Sequence, residues 1–119
     1  MQIVICGSMK NKEAIYRCEE YLKALGHTVL MPEECLRDEP KTKAHFNRIV
    51  DPKTDAILVV NARSHEQNNY IGHNTIAEVG LAYFFDKKIF LLNDYYEPCR
   101  VELEAWHAIP LFHKLEDIK

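Results

Sequence analysis

The sequence predicts a three-layer, doubly wound α/β domain with a parallel sheet of four to five strands, of the flavodoxin or Rossmann-like kind. Short continuous apolar runs, typical of strands buried on both faces of a parallel sheet, alternate along the chain with longer amphipathic stretches. In those stretches the apolar residues recur every three or four positions, as in helices with one buried face. The length of 119 residues, with 47% hydrophobic and 28% charged residues, fits a single domain spanning residues 1–119.

The first third of the chain is predicted to form a strand, a helix and a second strand. The run Ile3 to Cys6 is apolar and ends at a turn marked by Gly7. A helix follows from Asn11 to the stop at Gly26. Its apolar side chains share one face: Ile15, Cys18, Leu22 and Leu25. Residues 28–31 then supply the second strand.

The middle of the chain contains the strongest predicted strand, residues 55–60. Before it, residues 33–43 are charged and predicted to form a loop, and a short helix over 43–50 ends at the Asp51-Pro52 pair. After it, residues 61–70 form a polar loop long enough to bind a ligand.

The last third is predicted to begin with a helix capped by Asn74 or Thr75. We expect this helix to bury its apolar side chains, Ile76, Val79, Leu81, Ala82 and Phe85. A strand over 89–92 and a turn at 93–95 follow. The chain then continues with a helix carrying Val101, Leu103 and Trp106, and a final strand over 110–112.

Composition narrows the classes of partner. A net charge of −3 without long charged blocks argues against binding duplex nucleic acid or an anionic membrane, and favours a small-molecule ligand. The amino-terminal segment lacks the features of a signal peptide, and no run approaches the roughly 20 apolar residues of a membrane span. We therefore expect a soluble, cytoplasmic protein.

Cysteine and histidine spacing indicates neither a disulfide framework nor a metal site. The four cysteines form no CxxC pair and are interpreted as free, mostly buried thiols: Cys6, Cys18, Cys35 and Cys99. The six histidines show no HxxxH or HExxH spacing: His27, His45, His65, His73, His107 and His113. Because GxGxxG and Walker motifs are absent too, we expect no metal and no cofactor.

Ligands of doubly wound folds bind beyond the carboxyl ends of the strands, which here directs attention to the loops at residues 7–11, 61–74 and 93–98. In the first loop, Gly7 and Ser8 precede a helix start, where backbone N–H groups favour an anion, and Lys10 adds a positive charge. These residues are a candidate phosphate or sugar site, although a glycine turn after a strand is also a simple way to reverse the chain.

The segment from Gly72 to Glu78 is a sharper candidate. Gly72 allows close backbone approach, Asn74 and Thr75 offer hydrogen bonds, and Glu78 lies one helical turn after Asn74. Glu78 is either a helix-start acid that caps the helix or stabilises its dipole, or a functional carboxylate facing the pocket.

Four segments in order resemble the superfamily of nucleoside 2-deoxyribosyltransferases and deoxynucleoside-monophosphate N-glycosidases, over about residues 2–94. They are Cys6-Gly7-Ser8-Met9-Lys10, Thr54-Asp55-Ala56-Ile57-Leu58-Val59-Val60-Asn61, Tyr70-Ile71-Gly72-His73-Asn74-Thr75-Ile76-Ala77-Glu78-Val79-Gly80-Leu81-Ala82 and Lys87-Lys88-Ile89-Phe90-Leu91-Leu92-Asn93. The resemblance implies that Glu78 attacks the anomeric carbon of a nucleoside sugar and releases the base, leaving a glycosyl-enzyme for water or a second base to resolve. A position at the helix start would keep this carboxylate ionised.

Two departures from the family pattern affect the groups that would assist Glu78 in the reaction. The nucleotide-hydrolysing members have an acid where this chain has Asn47, and a tyrosine where it has Val4. Asn47 can hold a sugar hydroxyl or a base edge but cannot act as a general acid. Three residues are candidates for the missing carboxylate: Asp51, Asp55 and Asp94. Tyr70 can replace the missing phenol if its loop folds inward.

Three functions follow: an enzyme acting on the N-glycosidic bond of a nucleoside or its 5′-monophosphate, a nucleotide or sugar-phosphate sensor without turnover, or a phosphoribohydrolase-like enzyme. The resemblance also implies a homodimer or higher homo-oligomer whose neighbouring subunit completes the site. The residues expected to contribute are Tyr95, Tyr96, Arg100 and Trp106.

Overall fold

A computed structural model describes residues 1–32 and 41–119, with the side chains of residues 41 and 42 left aside. Most of the loop predicted at 33–43, together with Cys35, lies outside the described residues. Within them, no helix combines the length and apolar character needed to cross a membrane.

The structure confirms the predicted three-layer, doubly wound α/β fold, with five parallel strands in the order β2-β1-β3-β4-β5. The strands and α-helices follow one another in the order β1 (Gln2–Cys6), α1 (Lys12–Ala24), β2 (Thr28–Leu30), α2 (Lys41–Val50), β3 (Ala56–Val59), α3 (His73–Phe84), β4 (Lys88–Leu91), α4 (Arg100–Ala105) and β5 (Ile109–Pro110). Three short 3-10 helices complete the described chain: Met9–Asn11, Glu97–Cys99 and Leu115–Asp117.

Alternation along β1 divides the core into two layers. Ile3 and Ile5 belong to the apolar cluster that includes α1, whereas Val4 and Cys6 belong to the cluster that includes α2, α3 and α4. Successive side chains of a strand point to opposite faces of the sheet, so this division follows directly from the strand geometry. The Cys6 side chain is therefore directed towards α2 and α3, whereas the Cys18 thiol is buried on the α1 side.

The largest difference from the sequence predictions is at the start of α3. The residue that caps α3 is Gly72, and no side chain caps its first turn, so the prediction of Asn74 or Thr75 as the cap was wrong. The helix ends at Phe84, and Phe85 is exposed rather than buried because it lies beyond the last turn. Other bounds shift by one or two residues. Thus α2 begins at residue 41, β5 ends at residue 110, and the strands predicted over 28–31, 55–60 and 89–92 span 28–30, 56–59 and 88–91.

The strand order creates a crevice between the carboxyl ends of β1 and β3. These neighbouring strands pair in register up to Cys6 and Val59. The chain leaves β1 through α1 on one side of the sheet and leaves β3 through α3 on the other, so the two connections diverge here. Such switch points are where doubly wound folds bind ligands.

Candidate active site

A cleft of about 540 Å³ opens over this switch point. Its walls come from the turn after β1, from α2, from the loop after β3 and from the first two turns of α3. The described residues that line it are Gly7, Ser8, Met9, Asn11, Pro32, His45, Val59, Val60, His65, Tyr70, Gly72, His73, Asn74, Thr75 and Glu78. The structure thus brings together most of the residues that the sequence predicts for the site.

The turn after β1 requires glycine. Gly7 has a φ of +155°, and a Cβ atom at this position would lie 3.2 Å from the carbonyl oxygen of Val60. The next residue, Ser8, caps the following 3-10 helix, with its Oγ accepting a hydrogen bond from the Lys10 backbone N–H at 3.2 Å. Lys10 itself is exposed and does not line the cleft.

The amino end of α3 forms the opposite wall. No side chain caps its first turn, and the earliest helical hydrogen bond runs from the Ile76 N–H to the Gly72 carbonyl at 3.0 Å. The N–H groups at the start of a helix lack partners within the helix and favour an anion. Tyr70 packs against the start of α3, with its ring carbon Cε2 3.6 Å from the position that a Cβ of Gly72 would take. Its loop therefore does fold inward, and Tyr70 lines the cleft.

Glu78 lies in the second turn of α3, where only 8% of its surface is exposed. Burial raises the pKa of its carboxyl to about 7, although the Cys6 thiol donates a hydrogen bond to it and opposes the rise. The structure therefore differs from the expectation that a helix-start position keeps Glu78 ionised: the residue lies one turn inside α3, where burial favours the uncharged carboxyl. Burial and the neighbouring carboxylate in turn raise the pKa of the Cys6 thiol.

His45 is the site residue that the sequence analysis missed. It projects from α2 with 6% of its surface exposed, and its Nε2 lies 3.8 Å from Oε2 of Glu78. Among the described residues neither ring nitrogen has a hydrogen-bond partner, and burial, reinforced by Arg48, lowers the pKa of the imidazole to about 4. A histidine one turn before the fully buried Ile49 was the available signal, since it lies on the buried face of a helix.

Cys6, His45 and Glu78 bring three possible metal ligands together. One donor atom from each lies within 4.8 Å of the others, and all three residues are buried. The histidine spacing could not reveal this group because its members come from β1, α2 and α3. Among the described residues, it is the one group of three or more possible metal ligands.

Other candidates lie outside the cleft. Asn47 is exposed on α2, and Asp55 is at the opposite edge of the sheet, where its Oδ2 accepts the Gln2 N–H at 2.8 Å. Asp51 accepts the Lys53 N–H, and Asp94 accepts the Tyr95 N–H. Glu78 is consequently the one carboxylate that lines the cleft among the described residues.

The aromatic residues near the carboxyl end support the scaffold. Tyr96 is buried, and its hydroxyl donates a hydrogen bond to Gln67 in the loop after β3. The Tyr95 hydroxyl donates to the Ala108 carbonyl at 3.4 Å, and Trp106 packs 3.4 Å from the position that a Cβ of Gly80 would take. None of these three aromatic side chains lines the cleft.

Asn61 joins the loops that follow β3 and β4. Its fully buried side chain donates to the Asp94 carbonyl at 2.8 Å and accepts the Asn93 N–H at 2.9 Å. Both groups of its amide are therefore satisfied by the neighbouring loop.

Comparison with known proteins gives one solved structure of the same fold. The sequence matches no protein-family model, and no curated protein matches it. The CMP N-glycosidase BcmB of Clostridium botulinum superposes with a TM-score of 0.63, at 18% identity, over 92% of this chain and 87% of that chain. The chain therefore shares the fold of this neighbour. This confirms the fold that the sequence resemblance implies.

Proposed function

We propose that this chain cleaves the N-glycosidic bond of a nucleoside or nucleoside 5′-monophosphate, with the Glu78 carboxylate as the nucleophile. The observation that carries the proposal is the position of Glu78, a buried carboxylate beside the cleft at the switch point of a fold shared with a CMP N-glycosidase. A carboxylate beside an anomeric carbon is the arrangement used in retaining glycoside cleavage.

In the first step, an oxygen of Glu78 bonds to the anomeric carbon while the bond from that carbon to the base nitrogen breaks. The electron pair of the broken bond leaves with the base, which must then gain a proton. Water, or a second base, afterwards attacks the same carbon and releases Glu78. The outcome is hydrolysis with water and transfer with a base.

His45 is placed to supply the proton to the leaving base. Its ring lines the cleft and faces Glu78, and no described residue occupies its nitrogens. The pKa values of about 7 for Glu78 and about 4 for His45 leave the proton on Glu78 before substrate binds, so bound substrate must drive its passage to His45. That transfer yields the carboxylate and the imidazolium that the first step requires. His45 would thus take the role of the missing acid, for which the sequence offers Asp51, Asp55 and Asp94.

The substrate's anionic or hydroxyl groups would bind at two places in the cleft, the start of α3 and the turn after β1. The uncapped first turn of α3 offers N–H groups to a phosphate, while Asn74 and Thr75 offer side-chain hydrogen bonds. Gly7 and Ser8 line the facing wall and permit close approach. Tyr70 would pack against the sugar or the base.

A second candidate is a binding module that holds a nucleotide without turnover. It is favoured by the presence of one carboxylate among the described residues of the cleft, with Asn47 exposed outside it. Glu78 would then act as a hydrogen-bonding group for the sugar.

The two candidates differ in the product. Purified protein is incubated with CMP, dCMP, cytidine and the corresponding purine compounds, and free base is measured by chromatography alongside the thermal unfolding temperature. Base release supports the glycosidase, and a preference for ribose 5′-monophosphates over deoxy substrates would favour a phosphoribohydrolase-like specificity. A rise in unfolding temperature with no base released would support the binding module.

A further inference from the structure

We propose that Cys6, His45 and Glu78 form a Zn²⁺ site beside the cleft, and that Zn²⁺ occupancy and glycosidic cleavage exclude each other. The three residues lie at the end of β1, on α2 and on α3, so the fold itself assembles the site. The exclusion rests on the proposed role of Glu78 as nucleophile, whereas the metal site stands without it.

The geometry of the cluster is close to what a metal requires. The three donor atoms lie within 4.8 Å of one another, and the His45 nitrogen is 3.8 Å from the Glu78 oxygen. Tetrahedral Zn²⁺ has ligand bonds of about 2.0–2.3 Å, which places the ligand atoms roughly 3.3–3.8 Å apart. Small side-chain rotations therefore suffice to bind the ion.

The state of His45 points independently to a ligand. Only 7% of its side chain is exposed, and both ring nitrogens lack hydrogen-bond partners among the described residues. Buried polar groups in folded proteins nearly always have a partner. A metal ion between the imidazole, the thiolate and the carboxylate would supply one for the nitrogen that faces Glu78.

The donor set favours Zn²⁺ over other common cations. Mg²⁺ and Ca²⁺ prefer oxygen ligands, whereas a thiolate with an imidazole and a carboxylate suits Zn²⁺ and its spectroscopic substitute Co²⁺. On binding, the Cys6 thiol loses its proton to solvent and bonds to the metal as the thiolate. Three protein ligands leave the fourth position open to water or to a substrate oxygen from the cleft.

Coordination uses an oxygen of Glu78, the carboxylate that would attack the sugar. It also uses the nitrogen of His45 that faces Glu78. The cation neutralises the charge of the carboxylate and holds the imidazole, so neither the nucleophile nor the proton donor can act while the metal is bound. Zn²⁺ would therefore inhibit base release, and a chelator would restore it.

The metal site is tested with Co²⁺ on protein that has been treated with a chelator and kept reduced, without nucleotide. The wild-type protein should bind one Co²⁺ per chain and show a near-ultraviolet thiolate-to-cobalt charge-transfer band. Cys6→Ser should abolish the band, whereas Cys18→Ser, which alters a buried thiol on the other face of the sheet, should retain it. No band in the wild type, or an unchanged band in Cys6→Ser, would overturn the site.

A second variant guards against misfolding of Cys6→Ser. His45→Gln leaves the thiol in place and should weaken Co²⁺ binding by about 10-fold or more, in protein whose circular dichroism matches the wild type. Equal affinity in His45→Gln would overturn its place among the ligands. Base release is then followed with chelator and with Zn²⁺: loss of activity with the site filled supports the exclusion, and unchanged activity overturns it. Absence of base release with chelator would instead contradict the glycosidase, and the cobalt titration would still decide the metal site.

Discussion

Nε2 of His45 and Oε2 of Glu78 lie 3.8 Å apart, each on a different helix and each almost fully buried. The contact exists because α2 and α3 pack on the same face of the sheet, with Ile49 and Val79 in one apolar cluster. The packing that stabilises the fold thereby places an acid beside a base at the cleft.

Replacement of His45 by glutamine should lower base release from a nucleotide by about 10²–10⁴-fold, because the leaving base then lacks its proton donor. A riboside with a 4-nitrophenolate leaving group needs no such proton. At pH 8, where a carboxyl with a pKa of about 7 is ionised without His45, it should be cleaved at nearly the wild-type rate. Both rates are measured by steady-state kinetics. Equal losses on the two substrates would show that His45 positions Glu78 instead of donating a proton.

Burial of Glu78 predicts a pH-dependent difference in stability between the wild type and Glu78→Gln. The folded pKa of about 7 is raised above the ordinary value of 4.5, so folding favours the protonated carboxyl. This stability is fully present below pH 4.5 and is lost as the pH rises through about 7. The penalty on the folded wild type at pH 8 is on the order of 3 kcal/mol, and the uncharged amide of Glu78→Gln avoids it.

Urea unfolding of both proteins at pH 5 and pH 8, with chelator present, checks this prediction. The pKa of His45 is lowered, so its neutral form favours folding above the ordinary pKa of 6.5 and this stability is lost as the pH falls through about 4. Its contribution is common to both proteins, so their difference isolates Glu78. A difference that does not change between the two pH values would contradict the burial of an ionisable carboxyl.

Gly7→Ala should destabilise the fold by about 1–3 kcal/mol, since the residue would need a positive φ and its Cβ would press on the Val60 carbonyl. Gly80→Ala is the matched control, because that glycine is inside α3 and its new Cβ would meet Trp106 at an ordinary 3.4 Å. The control should be neutral or stabilising by up to about 1 kcal/mol. Chemical denaturation measures both, and equal effects would contradict the strain assigned to Gly7.

Asn61→Ala should cost about 2–4 kcal/mol, because it leaves the Asn93 N–H and the Asp94 carbonyl without their buried partner. Asn68→Ala, at an exposed position in the loop after β3, should change stability by less than about 0.5 kcal/mol. Thermal unfolding of the two variants provides the comparison. Similar stability would show that Asn61 does not join the two loops.

The sequence predicts the fold well because its signal is local. Continuous apolar runs such as Ile3 to Cys6 are typical of strands buried on both faces, and their alternation with amphipathic stretches indicates the class of architecture. The cap of α3 was predicted wrongly because Asn74 and Thr75 are good capping residues in isolation, whereas the tertiary structure begins the helix at Gly72.

Part of the site could be predicted because some of its residues lie in segments that the sequence marks locally. Gly7, Ser8, Gly72 and Glu78 occur in recognisable segments, but the contacts of Glu78 with His45 and Cys6 join residues far apart in the chain. The depth of Glu78, which raises the pKa of its carboxyl, also depends on the packing of α2 against α3. Neither feature leaves a pattern in residue spacing.

The most direct test of the account is the rate of base release by Glu78→Gln compared with the wild type and with Glu102→Gln, which alters an exposed glutamate on α4. The assay uses CMP or whichever nucleotide the wild type cleaves, with chelator present and the folded state of each variant verified by circular dichroism. Glu78→Gln should lower the rate by at least about 1,000-fold, while Glu102→Gln should leave it unchanged. A rate in Glu78→Gln equal to that of the wild type would contradict the role of Glu78 as nucleophile.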